Sequence, residues 1–208
     1  MHNLTQGLID AGCLKTESVI RAFVDVDRRK FVPKDLEKVA YRNIPLPIGY
    51  GQTISQPLTV AFMLEKLDVQ EGNTVLDVGS GSGWTTALLA HIVGEYGKVV
   101  GMEVIEELCA LGKKNIAKFG YVRQGIAEMI CRNAHDGFEK YAPYDRILVS
   151  AAAADIPQAL KDQLVIGGKL VMPVGSEIIC LKKKSPEEFS KQSFPGFSFV
   201  PFVNAPDQ

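Results

Sequence analysis

Apolar residues follow two rhythms along this chain. Before about residue 70 the spacing is helical. Val19, Ile20, Phe23 and Val24 share one face of a helix for which Thr16 is placed as N-cap. Ala61, Phe62, Leu64 and Leu67 share another, opened by Pro57, whose fixed φ and missing N–H suit a first helical turn. Between them, Ile44 to Gly51 combines prolines, which remove donors, with glycines, which relax φ. That stretch predicts an ordered loop.

From Thr74 the rhythm alternates. Val75-Leu76-Asp77-Val78 is a short β-type run, followed by glycines and serines and an apolar helix from Trp84 to about Val93, stopped by Gly94. A strand from Lys98 to Val104, a helix from Ile105 to Phe119 closed by Gly120, and β-type runs at Ala127–Arg132 and Ile147–Val149 repeat the unit. Pro157 opens a helix through Leu160 and Leu164 that Gly167-Gly168 ends; strands at Lys169–Val174, Glu177–Leu181 and Phe197–Val203 follow. Repeated β–α units imply a parallel sheet covered on both faces. The last strands lie too close in sequence for parallel crossovers, so an antiparallel element is expected at the sheet edge.

Composition narrows the function classes. The 208 residues carry 23 Lys and Arg against 24 Asp and Glu, a net charge of −1, so nucleic acid is not an expected partner. No apolar run approaches the roughly 18 residues that span a bilayer, and the N-terminus lacks a basic stretch followed by an apolar one. No membrane partner and a cytoplasmic location are therefore expected. Cys13, Cys109, Cys131 and Cys180 show neither C-x-x-C nor zinc spacing, which predicts four buried thiols, no disulfide framework and no metal site. Lys113-Lys114 and Lys182-Lys183-Lys184 read as solvated faces.

The chemistry concentrates in Val75-Leu76-Asp77-Val78-Gly79-Ser80-Gly81-Ser82-Gly83-Trp84, a strand running into glycines and then a helix. Such a turn lets a ligand approach backbone closely at the carboxyl edge of a sheet. Glu103 ends the next strand, where an acid can accept from both hydroxyls of an adenosine ribose. Glycine spacing alone does not separate a dinucleotide from S-adenosylmethionine. Asp77 does: a carboxylate is unfavourable beside pyrophosphate and favourable beside a cationic amino group, so S-adenosylmethionine fits better than NAD.

The loop and its upstream segment resemble the protein-L-isoaspartate O-methyltransferase family. The residues that carry the resemblance are RRKFVP at Arg28–Pro33, PLPIGYGQTISQP at Pro45–Pro57, the glycine loop and Glu103. APYDRI at Ala142–Ile147 running to Ala151-Ala152-Ala153, GGKLV at Gly167–Val171 and Pro173-Val174-Gly175 extend it over nearly the whole chain. The resemblance implies an α/β, doubly wound, mostly parallel, Rossmann-like sheet of seven strands with an antiparallel C-terminal strand. It implies one domain over 1–208, with residues 1–70 an N-terminal helical and substrate-loop region and 71–208 the cofactor-binding core. The implied reaction moves a methyl group from S-adenosylmethionine to the α-carboxylate of L-isoaspartyl residues in damaged proteins, leaving S-adenosylhomocysteine. The ester then collapses to a succinimide whose hydrolysis partly restores aspartate.

By the same resemblance Thr53 and Ser55 contact substrate, Ser55 being the catalytic position. Thr53, Ile54, Ser55, Asp77, Gly79, Ser80, Gly81, Glu103, Asp136 and Gly137 are the expected cofactor contacts, with no metal. The chain departs from the usual family pattern at Asn43, Leu58, His135 and Ser198. A carboxylate nucleophile, with a pKa near 4, needs no general base, which agrees with the lack of an obvious triad. Ser, Thr and Gln before a helical proline are also ordinary capping residues, so capping is the rival reading of Ser55. Methyl transfer to RNA or a small molecule, or cofactor binding without turnover, are the alternatives for the whole chain. A monomer or small homo-oligomer is expected.

Overall fold

The computed structural model describes residues 3–201. Strands β3 (Thr74–Val78), β4 (Lys98–Glu103), β5 (Ala127–Cys131), β6 (Tyr144–Val149), β7 (Leu164–Val174), β8 (Glu177–Lys183) and β9 (Phe189–Pro195) form one sheet in the order β5-β4-β3-β6-β7-β8-β9. The first five are parallel; β8 pairs antiparallel with both β7 and β9. The seven-stranded, mostly parallel sheet with one reversed C-terminal strand is as expected. Four of the five β3 residues are buried, because a central parallel strand is covered on both faces.

Helices α4 (Trp84–Val93) and α5 (Glu106–Ala117) make the crossovers β3–β4 and β4–β5. Nine of the ten α4 residues are buried, which explains a helix apolar all round. The chain then returns to the other side of β3, so the winding reverses between β3 and β6. At such a reversal the carboxyl ends of neighbouring strands splay apart and leave a crevice. Helices α1 (Asn3–Asp10), α2 (Glu17–Asp25) and α3 (Pro57–Leu67) precede the sheet, and α2 and α3 share an apolar cluster with α4.

Five expectations need correcting. Residues 46–54 are a hairpin, β1 (Leu46–Gly49) against β2 (Gln52–Ile54), rather than a loop. Tyr50 and Gly51 both take left-handed φ (54° and 71°), as tight two-residue hairpin turns require. The helix α6 after Pro157 covers only Gln158–Asp162, and β7 starts at Leu164, with a register irregularity that absorbs Gly167-Gly168. The last strand is Phe189–Pro195, a polar edge strand whose sequence lacks apolar alternation; Val203, at the end of the expected strand, lies outside the described residues. Lys183 is buried, its ammonium donating to the carbonyls of Lys161, Asp162 and Leu164. Thr16 does not cap α2; its hydroxyl donates to Glu65 on α3.

The cysteines also differ from expectation. Cys109 and Cys131 are joined by a disulfide, Cys13 is half-buried, and only Cys180 remains a buried thiol. The β4–α5–β5 unit brings two residues 22 apart in sequence to a Cα separation of 5.6 Å, within bonding range.

Candidate active site

The crevice between β3 and β6 opens into a cavity lined by residues at the ends of β3, β4 and β6. Its floor is the turn that leaves β3. The Gly79 and Ser80 amides both donate to the Met102 carbonyl, at 2.9 and 3.0 Å, and the Ser80 hydroxyl reaches the carbonyls of Asp77 and Met102. The turn is therefore satisfied by the neighbouring strand before any ligand arrives. Gly81 has φ of 51°, and a Cβ there would approach the Ile48 side chain to 3.2 Å, so both conformation and space call for glycine.

Glu103, 7 % exposed, faces this turn from the end of β4. One carboxylate oxygen accepts from Gly81 at 2.9 Å; the other accepts from the Val104 and Ile105 amides at 2.9 and 3.0 Å. Those last two amides precede α5, where unpaired backbone donors favour an anion. Three donors fix the carboxylate's orientation as an acceptor on the cavity wall.

Substrate-side residues come from the other edge. Thr53, Ile54 and Ser55 line the same cavity from β2 and the segment before α3. Pro57 stands first in α3, and the Leu58 amide donates to the Asn43 side chain at 2.9 Å. The helix start is thus capped by Asn43, while the Ser55 hydroxyl makes no hydrogen bond among the described residues. Val200 and Pro201 also wall the cavity, held by the Ala152 amide donating to the Val200 carbonyl at 2.9 Å.

Asp77 stands elsewhere than expected. It is fully buried and does not line the cavity. The Thr85 and Thr86 hydroxyls donate to its Oδ2 at 2.7 and 2.6 Å, and its buried Oδ1 has no partner among the described residues. Burial pushes its pKa up to about 6; the Thr86 and Thr85 hydroxyls oppose that, and the nearby Glu103 charge adds to it. Asp77 therefore anchors the start of α4 beneath the turn instead of facing the cavity.

Asp136 and Gly137 also lie outside the lining. The Asp136 side chain is 92 % exposed, beside His135. Gln163 explains this: its amide donates to the Asp136 carbonyl and its oxygen accepts from the Phe138 amide, pinning the turn with the carboxylate outward. The wall there is made by Arg132, Asn133 and Ala134 instead. Sequence reading missed these three, along with Ile48, Ser150 and Ala151. The available signal was position, since each strand of the βα series ends at the same rim.

The donor set suits S-adenosylmethionine. A fixed acceptor carboxylate at Glu103 and a turn stripped of side chain at Gly81 meet on one cavity. Known proteins agree with that geometry. The protein-L-isoaspartate O-methyltransferases of Methanococcus aeolicus and Methanopyrus kandleri are each 41% identical to this chain over 206 residues. The alignments cover 98% and 97% of this chain, and 94% and 90% of those proteins. A Plasmodium falciparum chain assigned as a protein-L-isoaspartate O-methyltransferase, crystallised with S-adenosyl-L-homocysteine, superposes with a TM-score of 0.87. It is 26% identical, over 96% of each chain. A family model matches residues 1–206, and by it the chain belongs to the protein-L-isoaspartate(D-aspartate) O-methyltransferase family.

Proposed function

We infer that this protein transfers a methyl group from S-adenosylmethionine to the α-carboxylate of L-isoaspartyl residues in damaged proteins and peptides. The observation that carries this reading is the meeting of Ser55 with Gly81 and Glu103 on one cavity. When bound, the cofactor supplies an electrophilic methyl on a sulfonium that is its own leaving group. Glu103 accepts from the ribose hydroxyls, and the Gly79–Gly81 turn lets the cofactor lie close to backbone. Asn133 and Ala134 wall the adenine end.

Ser55 donates its hydroxyl to the substrate carboxylate and fixes one oxygen without protonating it. Thr53, exposed at the mouth, and Val200 and Pro201 border the path of the peptide. A carboxylate is ionised at neutral pH, so the site needs no base to generate its nucleophile. Alignment of oxygen, methyl and sulfur remains, and orientation of this kind contributes roughly 7–11 kcal/mol. The ester then closes to a succinimide without further help from the protein.

A radiolabelled methyl donor offered with isoaspartyl and aspartyl forms of one peptide tests the assignment. Label in the isoaspartyl peptide alone is expected. Equal labelling of both would remove the repair function, and label in RNA alone would replace it.

A further inference from the structure

Arg28 is 2 % exposed, yet no ion pair includes it among the described residues. Its guanidinium instead collects three carbonyls from three segments. Nη1 donates to Ala40, and Nη2 donates to Ile44 at 3.3 Å and to Ser55 at 3.0 Å. Its Cζ lies 4.9 Å from the ring centroid of Trp84, which is 3 % exposed and lines the cavity. Burial draws the pKa down to about 10, which leaves the group protonated at neutral pH. A buried cation without a counter-ion is destabilising, and simple packing would be served better by an apolar side chain. The forked donor set has a different use: it ties the end of a 3-10 turn, the approach to the hairpin and the exit of β2 to one point.

The Ser55 bond also fixes a peptide plane. The only cis peptide among the described residues is Ala142-Pro143, so the Ser55–Gln56 bond is trans and its N–H points opposite to its C=O. With that carbonyl held on Arg28, the Gln56 N–H is turned away from the guanidinium, and it has no acceptor among the described residues. We propose that Arg28 is a positioning residue for methyl transfer: by clamping the Ser55 carbonyl against those of Ala40 and Ile44, it sets the place of the Ser55 hydroxyl and the adjoining N–H for an anionic substrate. The inference rests on the reading of Ser55 as a substrate contact. Arg28 touches neither substrate nor cofactor in this role and acts through the Ser55 hydroxyl and the Ser55–Gln56 peptide.

The test compares Arg28→Lys, Arg28→Gln and Ser55→Ala, and the two double variants, by kcat and KM on an isoaspartyl peptide. S-adenosylhomocysteine affinity is measured alongside by calorimetry. Loosening a reacting group by about 1 Å costs on the order of a hundredfold. Arg28→Gln is therefore expected to lose about a hundredfold in kcat and Arg28→Lys about tenfold. S-adenosylhomocysteine affinity should stay within about threefold, because the cofactor residues are untouched. In the Ser55→Ala background both Arg28 changes should cost clearly less than in wild type, only the N–H contribution remaining, since residues that act as one unit are not additive. Wild-type kcat in Arg28→Lys and Arg28→Gln, or losses that simply add to that of Ser55→Ala, would overturn the proposal. So would loss of S-adenosylhomocysteine binding in Arg28→Lys, which would assign Arg28 to the fold as a whole. Absence of isoaspartyl transfer by the wild type would instead remove the functional reading on which the proposal stands.

Discussion

The Gly81 amide donates to the Glu103 carboxylate across 2.9 Å, so the turn leaving β3 and the acid ending β4 form one bonded unit. The same carboxylate accepts from Val104 and Ile105. A ribose bound there meets an acceptor whose orientation has already been set by the backbone.

Glu103→Gln breaks that arrangement, because the new NH2 must face at least one backbone N–H. S-adenosylhomocysteine should bind about 10- to 100-fold more weakly, equivalent to roughly 1.4–2.7 kcal/mol, in line with hydrogen bonds to charged groups. Calorimetric titration of the variant checks this, and an unchanged dissociation constant would place the ribose elsewhere.

Ser55→Ala separates the two halves of the cavity. The hydroxyl carries no hydrogen bond among the described residues, so its loss should leave folding and S-adenosylhomocysteine affinity nearly unchanged. Turnover should fall by about a hundredfold, the usual size for one donor to a reacting oxygen. Unchanged turnover on an isoaspartyl peptide would reduce Ser55 to a residue before a helix.

What the sequence disclosed, and what it did not, follows from where each signal resides. β3 and α4 are legible because full burial writes itself as continuous apolar residues, Gly81 and Glu103 because a glycine turn and an acid stand at the ends of neighbouring strands, and Ser55 only through the resemblance of the segment around it. β9 is not, since this edge strand has no buried position on either face and so no apolar alternation to show. The Cys109–Cys131 pairing is a tertiary contact with no spacing rule. Arg132, Asn133 and Ala134 enter the wall through their place at a strand end, whereas Asp136 was misplaced because Gln163, 27 residues away, turns its loop.

Asp77 should leave a mark on stability. Its folded pKa, about 6, lies above the ordinary 3.8, so the unfolded chain releases this proton first as pH rises. The favourable contribution is complete below pH 3.8 and is lost as pH climbs through about 6. On the order of 1–3 kcal/mol is at stake. Urea midpoints between pH 4 and 7 should show a steeper decline for wild type than for Asp77→Asn. Parallel curves would mean that the carboxyl does not titrate in this window.

The disulfide ties α5, which starts beside Glu103, to the end of β5, where Cys131 pairs with Glu103 in register. Opening a loop of 22 residues should cost about 3 kcal/mol through the entropy regained by the unfolded chain. Peptide mapping without reductant should recover Cys109 and Cys131 in one fragment. Cys131→Ser should unfold at lower denaturant than wild type under oxidising conditions and match it in reductant.

The Asn43 side-chain oxygen accepts from the Leu58 amide at the start of α3. Asn43→Ala removes that acceptor and should lower stability by about 1 kcal/mol, as loss of a helix cap does. Asn43→Asp keeps the acceptor and places a negative charge at the positive end of the helix, a gain of about 0.3–1 kcal/mol at low salt. The two variants should therefore move in opposite directions from wild type in urea, with the Asp advantage shrinking as salt is added. A loss in Asn43→Asp equal to that in Asn43→Ala would show that the amide nitrogen, rather than the oxygen, is what the site uses.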